Sequence, residues 1–137
     1  MVSSAVFEDF IQQLGNKYFQ HLKHNWNLEQ YVNENGQVVK WEPLDPDYEK
    51  RKKKIGDMSI LVYTGELLNS FNIRSDSRGF EIWSDDPKAL YHQKGTENIP
   101  ARPMLYIDKN FIKNEFIHYM RQPDTDFRKW IINSLKN

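Results

Sequence analysis

The sequence predicts an α+β fold, and three observations predict it. Apolar residues recur at three- and four-residue spacing near both ends of the chain. A central stretch, FNIRSDSRGFEIWS, alternates with period two around a polar turn. Asp-Pro, Asn-Gly and isolated Gly punctuate the segments between. The expected architecture is an N-terminal amphipathic helix, a small antiparallel β-sheet with a hairpin at about 71–84, and C-terminal helices.

From the N-terminus, Val6, Phe7, Phe10, Ile11, Leu14, Tyr18 and Leu22 define one helical face over residues 3–23, with Ser3 or Ser4 as cap. Gly15 within it costs about 1 kcal/mol against alanine and marks a close approach. The polar stretch 25–40 carries Asn35-Gly36 and reads as a connector or weak hairpin. Asp45-Pro46 starts a short helix running to about Lys54. Thr64 caps a helical turn holding Leu67, Leu68 and Phe71.

In the hairpin, Phe71 and Ile73 share a face with Phe80 and Ile82, while Trp83 points the other way. Asp86-Pro87 opens a helix that ends at Gly95, and Asp108 caps one carrying Phe111, Ile112, Phe116 and Ile117. After Pro123 a last helix starts at Thr125 and holds Phe127, Trp130, Ile131 and Leu135. No repeat or linker divides the 137 residues, so one domain, 1–137, is expected.

Composition bounds the function. Nineteen basic and nineteen acidic residues cancel, which argues against a surface dedicated to gripping phosphates. With no cysteine, thiolate metal sites, disulfides and cysteine nucleophiles are all excluded. No run approaches the ~18 apolar residues of a membrane span, and the first residues lack a secretory pattern. An intracellular protein with no membrane partner is the expectation.

The inventory for catalysis is sparse. No GxSxG, P-loop or GxGxxG motif is present. His21 and His24 share a helix face, but a zinc site would need a third ligand and a base. A small metal-dependent hydrolase built on His21, His24 and His92 is one alternative reading. The block Lys50, Arg51, Lys52, Lys53, Lys54 is another, as a sequence-blind DNA-facing patch of an accessory nucleic-acid binder. Its plainer reading is a solvated helix face paired with nearby carboxylates. No catalytic residue, metal or cofactor is assigned.

The run YHQKGTENIPARPMLYID is the least ordinary. Pro100 disfavours helix at Ile99 and Pro103 does the same at Arg102, so Pro100 to Pro103 are held extended and the Arg102 guanidinium is presented at low entropic cost. Either it bonds local carbonyls within a rigid connector, or it anchors into a neighbouring subunit.

Four fragments in order carry a resemblance: Trp41, Pro43, Leu44 and Tyr48; Ile60, Leu61, Thr64, Gly65, Leu67 and Ser70; His92, Gln93 and Gly95; and Ile99, Pro100, Ala101, Arg102, Pro103 and Leu105. Together they resemble the phage virion morphogenesis and tail-completion proteins of the Mu-like kind, related to head–tail connector and minor tail proteins. Met104 stands where that pattern has phenylalanine, and Tyr91 directly precedes His92 where the pattern has a longer spacing. The resemblance implies a non-enzymatic virion protein, assembled in the host cytoplasm. It would form a cyclic ring, expected to be a hexamer, at the neck or tail end. Its partners would be copies of itself, the connector or adaptor, and tail tube or terminator proteins, with DNA only passing through the lumen.

Overall fold

The computed structural model describes residues 4–43, 66–97, 100–121 and 126–136. It is an α+β fold with an N-terminal helix, small antiparallel hairpins and C-terminal helices. The expected helix 46–54, the Thr64 cap and the break at Pro123 lie outside the described residues.

Helix α1, Ser4–Asn27, is the spine. At 1.5 Å per residue its 24 residues span about 36 Å. Its inner stripe, Phe10, Ile11, Leu14, Tyr18, Phe19, Leu22 and Trp26, is buried, as the spacing predicts. The helix runs one turn further than the apolar pattern to residue 23 suggested. Trp26 continues the stripe one turn beyond Leu22, and the side chain of buried Asn25 is hydrogen-bonded, so its polarity does not end the helix.

Beyond α1, Glu29 turns the chain with φ 56. The stretch expected to be a connector or weak hairpin is a hairpin, of β1 (Gln30–Val32) and β2 (Val38–Lys40). Its loop is built on Asn33, whose Oδ1 accepts from the N–H groups of Asn35 and Gln37 at 3.0 and 2.9 Å. Gly36 supplies the positive φ of 78° at the tip.

Helix α2, Glu66–Asn69, leads into β3 (Phe71–Asp76) and β4 (Gly79–Ser84). Phe71 therefore belongs to a strand and not to the preceding helical turn. The register is unbroken from Phe71↔Ser84 to Asp76↔Gly79. This hairpin lies across α1 at Gly15: a Cβ there would stand 3.0 Å from the Cβ and Cγ of Phe80. Phe71 is buried and Trp83 is exposed, as the alternation predicts.

Helix α3, Pro87–Lys94, has Asp86 as its N-cap, accepting from the N–H of Lys88 at 2.9 Å, and Gly95 at its end with φ 77. Helix α4, Lys109–Arg121, is capped by Asp108, whose Oδ1 accepts from the N–H of Phe111. Helix α5 is Asp126–Lys136. Two buried clusters result. One joins α1 to α2, β3, Trp41 and Met104; the other joins Phe10, Ile11 and Leu14 to side chains of α4 and α5. No helix among the described residues is long and apolar enough to cross a membrane.

Candidate functional site

The Pro-Ala-Arg-Pro segment and the residues after it have no regular secondary structure, yet they are fastened along their length. A segment whose carbonyls lack ladder partners must find donors elsewhere when it is buried. Here four side chains supply them in consecutive order. Trp41 Nε1 donates to the carbonyl of Pro103 at 3.0 Å, and Trp26 Nε1 to that of Met104 at 2.9 Å. Gln93 Nε2 donates to the carbonyl of Leu105 at 2.6 Å, and the Tyr18 hydroxyl to that of Tyr106.

Gln93 works in both directions. Its Oε1 accepts from the N–H groups of Met104 and Leu105, each at 2.9 Å. The N–H of Arg102 donates to the carbonyl of His92 at 2.6 Å, so α3 holds the loop by both backbone and side chain. Gly95, its N–H on the carbonyl of Tyr91, ends that helix where the chain turns toward the loop.

Arg102 is 4% exposed. Its Nε donates to the carbonyl of Glu42 at 2.8 Å and one terminal nitrogen donates to that of Pro43 at 3.0 Å. The guanidinium fork thus ties the loop to the strand exit after β2, some sixty residues earlier in the chain. Both acceptors belong to this chain, and both are remote in sequence. Met104 is 1% exposed and packs among Leu22, Trp26, Trp41, Leu67 and Phe71.

Below this clamp lies a polar cluster. The N–H of Asp108 donates to the Tyr18 hydroxyl at 2.8 Å, and Asp108 Oδ2 sits 2.8 Å from His21 Nε2. His21 stacks on Phe111 with ring centroids 4.1 Å apart. Asn25 Nδ2 donates to the Tyr106 hydroxyl at 2.7 Å, and Asn25 Oδ1 accepts from Gln30. Burial pushes the Tyr106 phenol up to about 12, and burial also raises Tyr18. Both hydroxyls therefore stay protonated at neutral pH and serve as fixed struts.

The sequence-selected residues divide accordingly. Trp41, Pro43, Gln93, Arg102 and Pro103 meet in one bonded locus, with His92 contributing its carbonyl. Leu67 is buried beneath it, and its carbonyl accepts from the N–H and the hydroxyl of Ser70. Pro100 is exposed at the entrance to the loop. Leu44, Thr64, Gly65 and the block Lys50, Arg51, Lys52, Lys53, Lys54 lie outside the described residues.

His21 is half-buried, with Asp108 Oδ2 against its Nε2 and Phe111 stacked on its ring. Among the described residues no group of three or more histidine or carboxylate side chains is placed to hold a metal ion. Sequence reading missed Tyr18, Asn25, Trp26 and Tyr106 as members of the site. For Tyr18 the available signal was a hydroxyl on a position whose periodicity already marked it as buried; Asn25, Trp26 and Tyr106 lie in stretches that carry no such periodicity.

Comparison with known proteins gives little more. No protein-family model matches the chain, and no solved structure matches it. The chain is 36% identical over 74 residues to uncharacterized protein MJ0331 of Methanocaldococcus jannaschii, a match covering 49% of this chain and 55% of that protein. The chain thus spans about half the length of the relative it matches.

Proposed function

We propose that the protein is a structural subunit of a tailed-phage or prophage virion. Copies form a closed ring at the head–tail neck or tail end, and this ring completes the tail and joins it to the head. One observation carries the reading. The fragments that resemble the virion-morphogenesis pattern converge on a single frame: Trp41 and Pro43 from the first, Leu67 from the second, Gln93 from the third, Arg102 and Pro103 from the fourth. Their polar groups are turned onto backbone carbonyls and amides, which is what a shape-keeping motif requires.

The mechanism is physical. A ring needs a head-to-tail interface whose rotation closes. The frame fixes the relative pose of α1, α3 and the strand exit after β2, so each copy presents the same angle to the next. Equal numbers of acidic and basic residues suit a lumen through which DNA slides without being held. Connector or adaptor proteins on one side and tail tube or terminator proteins on the other are the implied neighbours.

The test is the mass of the purified chain by light scattering across a concentration series, with electron microscopy of the largest species. Annular particles of one diameter with a central hole are expected. Open fibres or irregular aggregates would refute the reading.

A further inference from the structure

The β3–β4 hairpin is a two-stranded sheet, and among the described residues neither outer edge is joined by a further strand. Natural proteins usually blunt such edges with proline, a bulge or an inward-pointing charge. This one has none of these devices. The register is unbroken, and the face toward α1 holds Phe71, Ile73, Ser75, Phe80, Ile82 and Ser84. Beside the hairpin, among the described residues, a largely apolar slot of about 310 Å³ is lined by Tyr18 and Leu22 of α1, Phe80 and Ile82 of β4, and Leu105 to Ile107. Ile107 stands 70% exposed there.

The outer face of the hairpin carries a charge pattern that can repeat. Arg74 and Glu81 are directly opposite in the register, and Arg74 Nη2 lies 2.6 Å from Glu81 Oε2. Their side chains remain 69% and 66% exposed, so each can meet a second partner of opposite sign. Arginine has five N–H donors, and this pairing engages one nitrogen.

We infer that a second copy of this chain occupies these edges, with β4 of one copy pairing antiparallel to β3 of the next. In the register already used inside the hairpin, Glu81 of one copy faces Arg74 of its neighbour. Arginine and glutamate then alternate along the extended sheet, and every edge is paired on closure. The inference rests on the ring reading and names its interface.

The test uses the full chain. Arg74→Glu carries carboxylates at both positions, and Glu81→Arg carries guanidiniums at both. Each alone opposes like charges within and between copies, and should sediment as a smaller species than the wild type. Mixed one to one, every junction regains opposite charges, and the wild-type assembly should return although each subunit keeps its internal repulsion. Assembly of either single variant alone at wild-type strength, or no recovery on mixing, overturns the inference.

A second pair does not depend on charge. The chain has no cysteine, so Arg74→Cys and Glu81→Cys can be mixed and oxidised without background. Heterodimers well above the random half of crosslinked product are expected; a random distribution, or no crosslink, overturns the inference. Wild-type rings without preferential crosslinking would leave the ring reading standing and remove this interface. Preferential crosslinking without closed particles would do the reverse.

Discussion

Replacing Arg102 by methionine would leave an unbranched stem of similar reach and remove the two bonds to Glu42 and Pro43. Hydrogen bonds to charged groups contribute about 1.5–3 kcal/mol each, so the pair is worth about 3–6 kcal/mol before any carbonyl regains water. A domain of ordinary stability has about 5–15 kcal/mol in total, so the loss is a large fraction of it. The melting temperature should fall by roughly 10–20 °C, read by circular dichroism alongside urea unfolding. Arg102→Lys keeps the charge but offers a point donor in place of a planar fork, and should recover less than half of the loss. A methionine variant within about 0.5 kcal/mol of wild type would refute the reasoning, because that is the behaviour of an unremarkable surface position.

Other perturbations probe the remaining parts of the frame. Gly15→Ala gains about 1 kcal/mol of helix propensity but drives a methyl to 3.0 Å from Phe80 and 3.3 Å from Ile73. Overpacking of about 1–3 kcal/mol should win, lowering the urea midpoint, whereas a stabilised variant would mean the hairpin does not rest on α1. Asp86→Ala removes the cap on α3 and should cost about 1 kcal/mol, with Asp86→Asn close to wild type in the same assay. The phenols of Tyr18 and Tyr106 are raised above their ordinary value of 10.0, Tyr106 to about 12. The folded chain therefore holds protons that the unfolded chain releases from pH 10 upward. Stability from this source is complete below pH 10 and declines as pH rises toward 12; a urea midpoint unchanged across that window would contradict the assignment.

The parts legible in the sequence are those encoded locally. The stripe from Phe10 to Leu22, the Asp86-Pro87 start and Gly95 stop of α3, the Asp108 cap and the alternation through Ile73 and Ile82 each depend on neighbours a few residues away. The clamp was not legible, because its acceptors are backbone carbonyls, which every residue carries and no residue type announces. Arg102 could be picked out as a presented donor, but nothing in its spelling pointed to Glu42 and Pro43. Asn25 shows the same limit from the other side. Its polarity argued for a loop, while the Tyr106 hydroxyl, 81 residues away, lets it sit buried inside a helix.

Amide hydrogen exchange on the full chain tests the account most directly, because it asks whether an irregular segment is the firmest part of the frame. The N–H groups of Arg102, Met104, Leu105 and Asp108 donate to His92, Gln93 and Tyr18, and should exchange only on global unfolding, alongside the centre of α1. Exchange at these four amides as fast as that of a solvent-facing loop would contradict the clamp, and with it the structural role given to the motif.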